Sequence, residues 1–495
     1  MKNQTKEDIW FCGQNTIANL LLNQQERITR TIQINLPENE STLKQISSGY
    51  LSTIFLFENG KAIEYTQKSR KPQQIPNSNI SKVLVGYWNI SFLTSNGEVF
   101  AKGKIINSTN SRNYTNISSL IDEPNDRIIK DIVCGAKSIY LLTSNQTVYG
   151  IGSNNSGQLG CESPNQSNKP IFMMKNVSKI FSGSHSDSVF LLNSNKELFG
   201  CGNNFYGQLG LEEREEREIK EIKQIENIPK GKIIDIQIGY DYSVMLIEEY
   251  KKGNINKARK LYECGHYQHN GLDQPNSAFQ FTELKSPLFE NDDILEFSVG
   301  SYHTLVLTSN HKLIGFGDNS FCQLGTGNTI NQIRPIDLQV PEVIFDIHNY
   351  HVYCGLFNSF IYYKFCSSLQ EDLIKLFRRK EFCDISFDTI NPNEKIEAHK
   401  LILKYRLKDQ NQIEKLQEII SKKSIKESNQ IFEMIYSNRI IKPKLYSEIK
   451  EIINSNEKIE ETMKRIYLNE NEKDFIIERK EKQYKFPKIN INNEK

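Results

Sequence analysis

Short apolar runs recur through the first three-quarters of the chain, each cut off by Gly, Asn or Ser. A representative unit runs Ser188-Val189-Phe190-Leu191-Leu192, meets polar Asn193-Ser194-Asn195-Lys196, and returns as Glu197-Leu198-Phe199-Gly200. Apolar, β-branched and aromatic runs joined by turn-forming residues predict antiparallel hairpins. After about residue 365 the pattern changes. Leu369, Leu373, Leu376 and Phe377 recur at helical spacing. All 27 Gly lie at or before Gly355, and residues 366–495 contain none. Charged residues number 50 of 130 beyond residue 365 and 72 of the 365 before it. A turn-rich β region therefore gives way to Lys/Glu/Ile/Leu sequence of helical character.

The β region repeats. Three segments end alike: Gly150-Ile151-Gly152 followed by Gly157-Gln158-Leu159-Gly160, Gly200-Cys201-Gly202 followed by Gly207-Gln208-Leu209-Gly210, and Gly315-Phe316-Gly317 followed by Gln323-Leu324-Gly325. Cys264-Gly265 with Gly271-Leu272 is a weaker copy. Each has an earlier opening glycine, at Gly135, Gly183, Gly300 and Gly239. Degenerate openings fall at Gly49 and Gly86, and a last one is expected near Asn349. Seven units of roughly fifty residues result. Gly152, Gly157, Gly160, Gly202, Gly207, Gly210, Gly317 and Gly325 are expected to be structural, permitting close backbone approach and tight turns. Leu159, Leu209 and Leu324 are expected to plug each unit into its neighbour. The first unit, Ile9 to Asn15, matches only a closing half, and the last, Ile344 to Tyr363, only an opening half. Two halves complete one another if the chain closes into a ring, which removes exposed strand edges. A seven-bladed β-propeller sealed by its own N-terminal strand is predicted over 1–365.

At these residues the sequence resembles the regulator of chromosome condensation repeat family. The resemblance covers about 360 of 495 residues and is sharpest in units three, four and six. It implies a propeller without hydrolytic chemistry. Members include a nucleotide-exchange factor for a small nuclear GTPase, a plant ultraviolet-B receptor and many scaffolds.

The tempting chemistry reads as structural. His185, His303 and His351 are expected at one repeat position, which favours hydrogen-bonding core histidines over catalytic ones. Cys264, His266 and His269 compress three soft-metal ligand types into six residues. Yet Cys264 stands where Cys201 and Cys12 stand, and His266 falls on the register of Asn203. Cys134 and Cys354 read as small buried residues. Gly150-Ile151-Gly152 lies between strands, lacks a following helix and misses the third glycine of a dinucleotide loop. Ser184-His185-Ser186-Asp187 are sequence neighbours, whereas a triad needs spatially converging groups. Catalytic, cofactor and metal residues are all expected to be absent. Glu248 to Lys260 reads as a solvated hairpin tip, with a GTPase wedge as the sharper alternative. Glu212 to Lys223 reads as a charged loop or short helix.

Composition narrows the partners. With 62 Lys+Arg against 60 Asp+Glu the net charge is +2, which makes nucleic acid an improbable partner. The propeller strand begins near Asp8, so no basic leading tail of the kind that docks on chromatin is expected. Two tryptophans, Trp10 and Trp88, do not make the cluster that the ultraviolet receptor depends on. No apolar run suits a membrane span, and the first residues lack a secretory signal. Nine Cys without a CxxC pair suit a reducing compartment. The expected location is cytoplasmic, with the nucleus open.

Beyond the propeller, Phe382-Cys383-Asp384-Ile385-Ser386-Phe387 alternates like a strand, Asn391-Pro392-Asn393-Glu394 turns, and Ala398-His399-Lys400-Leu401 opens a helix. This order, with Ile431 to Ile440, resembles the BTB/POZ domain. A spacing of 37 residues from His399 to Tyr436 makes it a shortened, divergent copy. The resemblance implies a smaller, mainly α (α+β) domain at 366–440, a helical extension at 441–470 and a charged tail at 471–495. Asp384, His399 and Arg406 fall on its interface positions. The whole then reads as a non-enzymatic scaffold, a substrate receptor for a cullin-type ubiquitin ligase. Protein partners are expected: a client on the propeller, and a cullin or a second copy on the BTB-like domain. The rival expectation is a small-GTPase exchange factor acting through the propeller face.

Overall fold

The computed structural model describes residues 9–363 except 16–26, 35–42, 67–71, 104–112, 213–214, 251–256, 339–349 and positions 51, 78, 291 and 311. Beyond these it describes 385–388, 395–398, 416, 419–420, 422, 474–479 and 482–487. The chain divides into two units, Met1–Phe365 and Cys366–Lys495.

Seven four-stranded antiparallel sheets make up the first unit. Blades one to six take their strands in sequence order from residues 43–74, 80–116, 129–174, 177–224, 232–283 and 294–338. The seventh is composite: Tyr350–Cys354 and Asn358–Tyr363 form its inner half, Ile9–Gln14 and Arg27–Ile34 its outer half. Ile9 pairs with Tyr362, Phe11 with Phe360 and Gly13 with Asn358, so the chain closes on itself.

Burial explains the apolar runs. The second strands Ser52–Phe57, Asn89–Thr94, Ser138–Thr143, Ser188–Asn193 and His303–Thr308 are buried at every position, because neighbouring blades cover both faces. Blade seven meets blade one through Ile9, Phe11, Ile46, Phe55, Phe57 and Phe360. The outermost strands alternate instead, as in Glu218–Gln224, where Ile219 is buried and its neighbours are exposed.

Three expectations are corrected. The seventh opening is Gly355, not Asn349: it follows the inner strand Tyr350–Cys354 as Gly300 follows Ile294–Val299. His185 and His351 do not share the position of His303. Cross-strand pairing aligns His303 with Asn89, Ser138, Ser188, Tyr242 and Asn358, each opposite the last glycine of a closing strand. Two extra residues in the blade-four turn displace His185. Glu218–Gln224 is the edge strand of blade four rather than a loop or helix. The hairpin read at Glu248 to Lys260 is present: the insertion lengthens two paired strands, Tyr242–Tyr250 and Lys257–Gly265, with Lys260 Nζ 3.2 Å from Glu249 and 3.1 Å from Glu283. Its tip lies outside the described residues.

In the second unit Ile385–Asp388 pairs with Lys395–Ala398. Within the segment read as a charged tail, Asp474–Arg479 pairs with Lys482–Pro487. Asp384, His399 and Arg406 lie outside the described residues, as does the helical extension expected at 441–470. Among the described residues no helix is long and apolar enough to cross a membrane.

Candidate functional site

Both ends of the propeller axis are built by the repeat. A glycine follows the innermost strand of each blade, at 49, 86, 135, 183, 239, 300 and 355. These turns crowd the axis: a Cβ on Gly49 would sit 2.5 Å from the Gly86 carbonyl oxygen, one on Gly86 2.7 Å from that of Gly135, and one on Gly300 2.6 Å from that of Gly355. A side chain there would push blades apart, so the residues that follow carry the chemistry out onto one face, here called the loop face.

Four residues before each glycine stands a polar side chain: Gln45, Lys82, Asp131, Lys179, Asp235, Glu296 and His351. In blades one to six a register shift at this position marks a β-bulge, which re-aims a side chain. Six of the seven line an axial cavity of about 470 Å³, and the seventh, His351, joins them through Glu296. Neighbours are tied together across blades: Lys82 to Asp131 at 2.7 Å, His351 to Glu296 at 2.6 Å, Lys179 Nζ to the Ile234 carbonyl at 3.2 Å, and Gln45 to the Val83 backbone. Burial raises the Asp235 carboxyl above the usual range. The sequence reading missed this ring, although its seven-fold spacing relative to the glycines is present in the chain.

The Gln-Leu-Gly loops join blades sequentially. Asn154, Asn204 and Asn319 accept hydrogen bonds through Oδ1 from the N–H groups of Leu159, Leu209 and Leu324. Leu159 lies beside Gly150, Leu209 beside Gly200 and Leu324 beside Gly315 of their own blades, and each belongs to an apolar cluster that continues into the next blade. The loop glycines and the Gln carbonyls reach the next blade as well. Gly160 faces Ile222, Gly210 faces Phe281, and Cys201, Cys264 and Cys12 donate from Sγ to the carbonyls of Gln158, Gln208 and Gln323. Burial pushes the Cys12 thiol up to about 12, so this is a packing role rather than a reactive one.

The loop face carries a chain of rings. From blade four to blade seven it runs Phe205, Tyr206, His266, His269, Tyr302, Phe357 and Phe321, with successive centroids 4.9, 4.5, 4.8, 5.0, 6.3 and 4.4 Å apart. Arginines cap both ends: the Arg217 guanidinium lies 4.4 Å from the Phe205 centroid and that of Arg27 5.1 Å from Phe321. Tyr240 flanks Tyr302 at 5.4 Å, and Tyr50 stacks on Tyr87 at 4.6 Å beside Trp88. Phe205 is 45% exposed and Tyr240 49%. Burial raises the phenol of Tyr302, and the nearby Asp241 carboxylate adds to it.

His303, by contrast, is core. Its Nε2 lies 2.9 Å from Ser359 Oγ, and burial lowers its imidazole to about 4. His185 is lowered to about 3 by burial and by His303. Cys264 points away from His266 and His269 to the Gln208 carbonyl. Those two histidines instead converge with Asp241, which the sequence reading did not single out.

The fold is a seven-bladed β-propeller, and three of its segments carry regulator of chromosome condensation repeats. The regulator of chromosome condensation (RCC1) repeat matches residues 129–158, 294–323 and 196–246. The chain is similar to an RCC1 domain-containing protein of Dictyostelium discoideum, 28% identical in an alignment 194 residues long that covers 33% of this chain and 36% of that one. It is 30% identical over 89 residues to the ultraviolet-B receptor UVR8 of Arabidopsis thaliana, 18% of this chain and 20% of the receptor. The chain thus spans about a third or less of the length of these relatives. Among solved structures, human WBSCR16 superposes with a TM-score of 0.58 at 15% identity, covering 72% of this chain and 99% of that one. Prp20p of Saccharomyces cerevisiae, reported with its binding properties toward Gsp1p and histones, gives 0.61 at 17% identity, covering 73% and 92%.

Proposed function

We propose that this chain is a non-enzymatic protein-interaction scaffold whose propeller holds a client protein on the loop face. The observation that carries this reading is the row of rings from Phe205 to Phe321 with an arginine at each end. Tyr, Phe, Trp and Arg are enriched at interfaces: the aromatic rings present large contact area with few rotatable bonds, and the Arg guanidinium brings a planar fork of hydrogen-bond donors. The row draws on four blades, so only the closed ring presents it whole. Cross-linking the intact chain to its partners in lysate, beside Phe205→Asp and Tyr240→Asp variants, tests it. A shared set of partners should vanish from both variants; retention of the full set would refute the loop face as the docking surface.

The finer reading, in which the second unit recruits a cullin or pairs with a second copy, rests on the BTB-like sequence around Asp384, His399 and Arg406. Co-purification free of any cullin removes the ligase-receptor part and leaves the scaffold.

A second reading is regulation of a small GTPase, with a nuclear site of action. It draws on the likeness to Prp20p and the binding to Gsp1p reported for that protein. In this chain the candidate wedge grows from the Tyr250 and Lys257 ends of its strands, opposite the ends that carry the ring row. Nucleotide release from a panel of small GTPases decides it: no acceleration by micromolar protein excludes exchange activity.

A further inference from the structure

We propose that Asp241, His266 and His269 form a site for a divalent transition-metal ion of the zinc class on the loop face of blade five. One ligand atom from each residue lies within 4.8 Å of the other two, and His269 Nδ1 is 3.0 Å from Asp241 Oδ1 and 3.2 Å from Oδ2. Zinc bonds of about 2.0–2.2 Å place tetrahedral ligand atoms about 3.3 Å apart. The ligand atoms must therefore draw together by at most about 1.5 Å to enclose an ion, and three protein ligands leave a fourth position for water.

The backbone builds this cluster without help from an ion. Gly265 approaches so closely that a Cβ there would lie 2.5 Å from the Asp241 carbonyl oxygen, to which the His266 N–H donates at 2.9 Å. The N–H groups of His269 and Asn270 both donate to the His266 carbonyl at 3.1 Å, and Asn270 Nδ2 donates to the Gly265 carbonyl at 3.3 Å. Blade five also shortens the loop. Gly271, which meets Phe316 of blade six as Gly210 meets Phe281 of blade five, comes six residues after Gly265, whereas Gly210 comes eight after Gly202. The shorter path folds His269 back over Asp241.

Two further observations separate this cluster from a simple ion pair. His266 Nδ1 is buried and has no hydrogen-bond partner. The same backbone turn in other blades joins Ser153 to Lys137, Asn203 to Asp187, Asp318 to Tyr302 and Gln14 to Phe357. Among these, blade five alone sets a carboxylate beneath two imidazoles. Asp241 is 5% exposed. Two imidazoles with one carboxylate suit zinc, cobalt or nickel and not the oxygen-preferring magnesium or calcium.

The test uses the full chain stripped of metal and titrated with zinc, then with cobalt. Wild-type protein should take up one zinc equivalent that Asp241→Ala and His266→Ala each weaken by at least about a hundredfold. Cobalt should give visible bands without a thiolate charge-transfer band. Far-ultraviolet circular dichroism of metal-free protein confirms that each variant is folded, and His266→Ala, on a side chain less buried than that of Asp241, is the gentler of the two. Equal zinc uptake by wild type and both folded variants, or cobalt spectra showing thiolate ligation, overturns the proposal.

Discussion

Phe11 and Phe360 lie side by side across the seam of the ring, their centroids 5.1 Å apart, one from the first described strand and the other from the last strand of the propeller. Both are fully buried, and Phe55 of blade one packs edge-on against Phe360 at 6.1 Å. Truncating a buried Phe typically costs about 3–5 kcal/mol. Phe11→Ala should fall in that range, because the cavity opens where the chain closes on itself. Urea unfolding would show it as a lowered midpoint. Phe172→Ala, removing a ring that is 51% exposed on an outer strand, should move the midpoint little. Equal effects of the two would mean that the seam does not hold the ring.

Much of this architecture was legible in the chain. The closing strand Ile9 to Asn15 and the opening half before Tyr363 are complementary fragments of one unit, and only ring closure satisfies both. The errors have physical causes. The opening turn demands space rather than the left-handed backbone that Asn tolerates, and Gly355 meets that demand where an Asn side chain would not. His185 and His303 looked equivalent because a two-residue insertion in the blade-four turn is invisible without the cross-strand register. The axial ring from Gln45 to His351 was overlooked because a bulge breaks the alternation expected of a strand. Asp241 lies 25 residues before His266 in the chain, and only the Gly265 contact brings them together.

Glu263 occupies the place that Gly150, Gly200 and Gly315 hold in other blades. Glu64 holds it in blade one, satisfied by Ser52 at 3.0 Å and Lys102 at 2.6 Å. Glu263 is fully buried with neither carboxyl oxygen hydrogen-bonded, and burial raises its pKa well above the usual range. The folded state therefore holds a proton that the unfolded state releases above its ordinary value of about 4.3. Stability contributed here is present below that pH and declines as pH rises toward the folded value. Glu263→Gln should remove the decline and exceed wild type by roughly 1–3 kcal/mol at pH 8, with little difference at pH 4. Denaturant midpoints of both proteins at the two pH values provide the check.

The buried His303 has the opposite sign. Its pKa is about 4 in the fold against an ordinary value of about 6.5, so the unfolded chain binds the extra proton. Its contribution is complete above about pH 6.5 and falls away as pH drops toward 4. A shift of this size corresponds to roughly 3 kcal/mol at the acid end. His303→Gln, whose amide can still reach Ser359, should be less stable than wild type at pH 7.5 and nearly equal to it near pH 4.5. Parallel difference curves across that range would show that His303 does not titrate between the two states.

The loop face separates function from folding. Phe205 is 45% exposed and held mainly by Tyr206 and Arg217, so Phe205→Ala should alter stability by no more than about 0.5 kcal/mol. If the ring row is the contact surface, truncating an aromatic anchor weakens client binding by about 2 kcal/mol, roughly thirtyfold. Ile128 provides the control: it is 60% exposed, and it precedes the inner strand of blade three, at the opposite end of the axis from the glycine turns. Ile128→Ala removes comparable exposed apolar area and should leave binding unchanged. Measured by surface plasmon resonance against the captured client, the two variants should differ by more than tenfold. Matching losses would place the client on both faces or on neither, because a contact confined to the loop face cannot sense Ile128.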